Sequence, residues 1–148
     1  ELVYEYDADG EQGKGDWKLA AEYLQLKKAM RVTGADTTAP VQIGDTVNGT
    51  QDGLYVQGMY GIAPRLQLGL RYEVSGMLNE LDEAGSIRTF DASVRTSLAV
   101  TFRPNPATRL RLQLSSASVS DEAGVKTQLN AFVLGYTGMF GGHEGHAH

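Results

Sequence analysis

The sequence predicts an all-β protein: an up-and-down antiparallel transmembrane β-barrel segment of about seven strands, part of a larger barrel. Three observations predict it. Apolar and polar side chains alternate with period two along most of the chain, which places successive residues on opposite faces of extended strands. Short and long connections alternate, the ordering of a sheet whose tight turns lie at one end and whose long loops lie at the other. Aromatic residues of the apolar face, namely Tyr6, Trp17, Tyr60, Phe102 and Phe140, cluster near the short turns or the final strand end. That placement matches an interfacial girdle, whereas a soluble core would place aromatics mid-strand as readily.

Taken in order, the first strand is "ELVYEYD" (1–7), followed by a medium link at 8–16. The segment 17–32 has a helix-friendly composition of Lys, Leu, Ala and Glu. It reads as a strand because Trp17, Leu19, Ala21 and Tyr23 alternate with Lys18, Ala20 and Glu22. A long connection at 33–52 leads to a strand at 53–63 and a tight turn at 63–65. Strand 65–77 has the clearest pattern, with Leu66, Leu68, Leu70, Tyr72 and Val74 against Arg65, Gln67, Arg71 and Glu73. After a loop at 76–86, strand 87–103 sets Val94, Leu98, Val100 and Phe102 against Asp91, Arg95 and Arg103. The tight turn "PNPA" (104–107) leads to strand 108–118, where Leu110, Leu112 and Leu114 oppose Arg109, Arg111 and Gln113. A polar loop at 119–127 precedes the last strand, 128–140. Residues 1–140 therefore form the sheet, and 141–148 a Gly/His-rich flexible tail on the turn side, which is the periplasmic side of such a barrel.

Composition narrows the classes. The 148 residues suit one domain, and the absence of cysteine removes disulfides, thiolate metal sites and cysteine nucleophiles. A net charge of -5 argues against nucleic acid as a partner. No apolar run approaches the ~20 residues of a membrane helix. Without an initiator methionine or a signal peptide, the chain reads as a mature product or a fragment. Its enzyme motifs are missing: no GxSxG, Walker A or HExxH occurs, and no histidine falls on a strand. The chain is expected not to be an enzyme.

Two readings of the alternation remain open. The apolar face could be the core of a soluble, lipocalin-like β-barrel binding module, or it could meet lipid. The apolar stretches span about ten residues, the length of a tilted strand crossing hydrocarbon. If the apolar face meets lipid, the polar face lines a lumen. It would carry Arg65, Arg71, Arg95, Arg103, Arg109 and Arg111 against Glu73 and Asp91, a basic wall that lowers the barrier for anions. These arginines could instead be braced by acids such as Glu1, Glu5 and Glu22. An odd-stranded open sheet leaves edges whose unpaired groups cost several kcal/mol each in lipid. Remaining barrel strands or other chains must then complete the wall.

The segments "WKLAAEYLQLKK", "DGLYVQGMYGIAPRLQLGLRYEV" and "NPATRLRLQL" and the terminal "GGHEGHAH" resemble the C-terminal part of Gram-negative outer-membrane porin-like proteins, in the style of the phosphate-selective porins. The resemblance covers nearly the whole chain as segment style and order, and involves no catalytic motif. It implies a passive diffusion barrel in the bacterial outer membrane, with lipid, lipopolysaccharide and small solutes as partners. The chain departs from the family in strand number, since the family's barrels have many more.

Charges outside the wall invite two further expectations. The loop acids Asp45, Asp52, Glu80, Asp82, Glu83, Asp121 and Glu122 could hold divalent cations that bridge lipopolysaccharide, or could simply be solvated. In the tail, His143, Glu144, His146 and His148 could supply N and O ligands to zinc or copper, although HExH is not the zinc-protease spacing.

Overall fold

A computed structural model describes residues 1–8, 13–34, 41–83, 85–121 and 124–138. The expectations for Glu122, Phe140 and the tail residues His143, Glu144, His146 and His148 lie outside the described residues. Eight strands form one antiparallel sheet: β1 (Leu2–Tyr6), β2 (Trp17–Arg31), β3 (Thr46–Ala63), β4 (Leu66–Glu83), β5 (Ser86–Thr89), β6 (Ser93–Asn105), β7 (Thr108–Ser120) and β8 (Lys126–Gly138). The order is β1-β2-β3-β4-β6-β7-β8, each strand beside its neighbour in sequence, with β5 folded back on the far end of β4. The all-β up-and-down class stands. The sheet is not closed: among the described residues β1 pairs only with β2, and β8 only with β7.

The strand count is eight rather than about seven, because the stretch predicted as one strand at 87–103 is divided into β5 and β6; β3 and β4 also extend well past the predicted limits of 53 and 77. The extension begins at an irregularity. Between the pairs Gly53↔Ser75 and Gln51↔Asn79, β3 has only Asp52 while β4 has Gly76, Met77 and Leu78. Gly76 makes this excess possible with a φ of 78°, a conformation that costs glycine little. Beyond it the polarity of the faces reverses. On the face of Lys18, Ala20 and Glu22, β2 continues as Leu24, Leu26, Lys28 and Met30; on the face of Trp17, Leu19 and Tyr23, it continues as Gln25, Lys27, Ala29 and Arg31. A Cβ built on Gly49 would touch Met30 and Leu81, so these apolar residues share that face. The strand predicted at 87–103 is correspondingly two strands. Asp91 lies in the link between β5 and β6, exposed and off the wall.

The sheet curves around its polar face. Glu5 and Tyr6 of β1 border one cavity of about 570 Å³ with Arg109 and Arg111 of β7. Five strand-to-strand steps would hold those strands about 24 Å apart in a flat sheet. Small residues line the crowded concave side. Ser97 and Thr101 are each 4% exposed, and Ala20, Ala99 and Ala117 are also buried. On the convex side Leu70 is 57% and Leu98 48% exposed, and Leu68, Leu110, Leu112 and Leu114 are exposed as well. No large side chain of the described residues is fully buried. The molecule is polar inside and apolar outside, the inverse of a soluble sandwich.

Candidate functional site: the concave arginine face

Strand register determines which arginines meet. One concave row runs Glu22, Tyr55, Glu73, Arg95, Ala117, and the next runs Ala20, Gln57, Arg71, Ser97, Ser115. Arg71 donates from Nη2 to Glu73 Oε1 at 2.8 Å, and Arg95 Nη1 lies 3.8 Å from Glu73 Oε2. The Arg71 guanidinium also covers the Tyr55 ring at 3.9 Å. One carboxylate thus serves two arginines at mid-height.

Nearer the turns the arrangement differs. Arg103, Arg109 and Arg111 border the 570 Å³ cavity together with Lys18, Gln57 and Gln67. Among the described residues no carboxylate forms an ion pair with any of these three arginines. Arg111 donates to Gln113 Oε1 at 3.0 Å, and the chain of polar groups continues from Gln113 Nε2 to Ser115 Oγ and on to Ser97 Oγ. This track links the turn-side arginines to the row of Arg71. Arg65 stands apart. It occupies the β3–β4 turn with a φ of 66°, and its Nη1 donates to Pro104 O at 2.8 Å, tying that turn to the β6–β7 turn. It belongs to the rim rather than to the wall.

Of the acids expected as braces, Glu5 and Glu22 face other groups. Glu5 pairs with Lys18, and Glu22 lies directly across from Tyr55. Of the expected loop acids, Asp52 is buried in β3 and accepts from Tyr23 Oη and from the Leu78 amide. Asp45, Asp82 and Asp121 each accept a backbone amide in a turn, and Glu83 lies 3.7 Å from Arg88. Among the described residues no group of three or more His, Cys, Asp or Glu side chains is placed to hold a metal ion.

Sequence reasoning placed Lys18, Gln67 and Gln113 opposite the apolar residues of their strands without naming them as pore-lining, and it missed Gln57. Alternation carried the signal, since each sits on the polar parity of its strand. It also missed the loop segment Gly13–Asp16, which lies on the same surface. No protein-family model matches this chain, and neither curated proteins nor solved structures give a match.

Proposed function

We propose that this chain forms part of the wall of an outer-membrane, porin-like channel for passive diffusion of small anionic solutes. The observation that carries the reading is the inversion of the curved sheet: exposed leucines outside, buried serine, threonine and arginine-bearing rows inside. In water that convex face would be an apolar patch far larger than soluble monomers tolerate.

The apolar band supports a lipid slab in two further ways. The first polar residue of the convex face is Gln25 in β2 but Ser116 in β7, and Ser116 is level with Ala21 through Thr96, Tyr72 and Val56. The boundary lies level with position 25 in β2 and β3, at Gln25 and Asp52, and level with position 21 in β6, β7 and β8, at Thr96, Ser116 and Asn130. The offset is about 13 Å along the strands. Strands of membrane barrels tilt by about 35–45°, so a flat slab cut by such strands has an edge displaced along the strands from one side of the sheet to the other. The apolar run of β4, Leu66 through Val74, measures about 30 Å along the strand and about 25 Å across the slab at that tilt, the height of a barrel's apolar band.

Aromatic side chains fall at both edges of the band. Trp17 stacks on Tyr4 with ring centroids 4.9 Å apart and is level with Tyr6 and Tyr60, while Tyr23 and Tyr72 sit toward the opposite edge. The open edges β1 and β8 are where remaining strands or further chains would pair. The basic concave face then gives a lumen that favours anions.

The test is electrical. The full chain, extracted in detergent and inserted into planar bilayers under a KCl gradient, should give stepwise currents with anion-preferring reversal potentials. A detergent-free, monodisperse monomer with no conductance overturns the reading. For the tail, the proposal is weak chelation of zinc or copper by His143, Glu144, His146 and His148. Calorimetry showing equal metal uptake after deletion of 141–148 removes that role.

A further inference from the structure

We propose that the segment Gly13–Asp16 is an inward ledge that directs solutes against Arg103, Arg109 and Arg111, and so sets charge preference at the turn end of the passage. The inference rests on the channel reading and adds to it the element that does the selecting.

The seat of the ledge is on the concave face. Gly15 N donates to Gly61 O at 2.8 Å, and Gly61 N donates to Asp16 O at 2.8 Å, so the segment is bonded to β3 at one residue in both directions. Gly61 pairs with Gln67, and both lie on the concave row that continues to Thr101 and Arg111. A Cβ at Gly61 would come within 1.2 Å of the Gly13 carbonyl oxygen. The ledge therefore occupies the space where a side chain of that row would project. Only glycine at position 61 permits the approach.

Internal bonds hold its shape. Asp16 accepts from Ala8 N at 3.1 Å through one carboxylate oxygen and from Gly13 N at 2.9 Å through the other. Gly13 and Gly15 have φ values of 130° and 87°, which side-chain-bearing residues rarely adopt.

Charge then distinguishes this level from the one above. Gly13 borders a cavity of about 450 Å³ with Gln67 and Arg103, and Asp16 borders the adjoining 570 Å³ cavity with Arg103, Arg109 and Arg111. These three guanidinium groups form no ion pair among the described residues, although Glu5, Asp7 and Asp16 border the same cavity, whereas Arg71 and Arg95 share Glu73. A solute crowded by the ledge toward β6 and β7 meets three guanidinium groups on that side of the cavity, across from Glu5, Asp7 and Asp16, whereas higher up two arginines share one carboxylate. Within a Debye length of about 10 Å at 0.1 M salt, all three act on it together.

The experiment compares the full chain with Gly61→Ala, Asp16→Asn and the triple variant Arg103→Gln/Arg109→Gln/Arg111→Gln in planar bilayers. Gly61→Ala and Asp16→Asn should raise unitary conductance, and Gly61→Ala, which changes no charge, should lower the anion-to-cation permeability ratio. The triple variant should lower that ratio several-fold with little change in conductance. If Gly61→Ala fails to fold, the conductance of Asp16→Asn decides, because the substitution preserves size while weakening the tether, and its permeability ratio also carries the lost carboxylate. A second readout uses Lys14→Cys in a chain without native cysteine, where an anionic thiol reagent should reduce the current. Unaltered conductance and selectivity in the ledge variants, or no effect of the reagent on Lys14→Cys, overturns the ledge while leaving the channel. Absence of current from the unmodified chain overturns the channel reading, and the ledge with it.

Discussion

Tyr23 donates its phenolic hydroxyl to Oδ2 of Asp52 at 3.0 Å, just where the convex face changes from apolar to polar. The other carboxylate oxygen accepts the Leu78 amide at 2.8 Å inside the β4 irregularity. One acid thus fastens β2, β3 and β4 together. Asp52→Ala strands a backbone amide and should destabilise the sheet by about 1–3 kcal/mol, whereas Tyr23→Phe should cost about 1 kcal/mol. Unfolding midpoints in detergent read both, and equal midpoints for Asp52→Ala and the parent chain would contradict this role.

Leu98 sits on the convex face between Leu70 and Leu114. In lipid, Leu98→Arg should lose about 2–4 kcal/mol of folding stability, the cost of a cation near the midplane of a barrel wall. In water a surface substitution of this kind changes stability by only about 0.5 kcal/mol. Urea titration in lipid vesicles separates the two, and a near-neutral Leu98→Arg would speak against lipid contact.

The shared carboxylate makes the wall arginines unequal. Replacing Arg71, Arg95 and Arg111 together with glutamine should shift reversal potentials toward cations, most visibly at low salt. Arg111→Gln alone should account for most of the shift, because Arg71 and Arg95 are partly offset by Glu73. Glu73→Gln should shift selectivity the other way. Equal effects of the three single arginine variants would contradict this division.

Asp16 should make the ledge acid-sensitive. The Ala8 amide, then the Gly13 amide, hold its carboxyl below the ordinary value of 3.8, outweighing an opposing effect of burial. A depressed folded pKa means that the stabilisation is complete above pH 3.8 and is lost as pH falls through the lower folded value. The Gly13 amide resonance should follow that titration and be insensitive to it in Asp16→Asn. A Gly13 resonance that is unchanged down to pH 2 would deny the tether.

How far the sequence carried the fold depended on the polarity of the surroundings. Leu66 to Val74 alternate inside one uniform band, so their strand and its outward face are legible from spacing alone. The turns after Ala63 and Asn105 are marked by Pro64 and Pro106, residues that suit tight turns. Residues 46–52 and 78–83 were not legible as strand, because the faces exchange polarity beyond the Asp52 irregularity and the period is broken by two residues. Asp91 was misplaced for a related reason: Phe90 bonds back to Asn79, which pulls the chain out of the strand. Pairing of Glu73 with Arg71 and Arg95 depends on cross-strand register, and seating of Gly13 on Gly61 on a long-range approach. Neither leaves a mark in local alternation.

Trp17, the single tryptophan of the chain, stands on the convex face at the turn-side edge of the apolar band and offers the most direct measurement of the central claim. Its fluorescence should be quenched by bromine on lipid acyl chains, more strongly by shallow bromines near the headgroups than by bromines at the bilayer centre, and should be shielded from aqueous acrylamide. Full quenching by acrylamide, with no response to brominated lipid at any depth, would place the convex face in water and contradict the account.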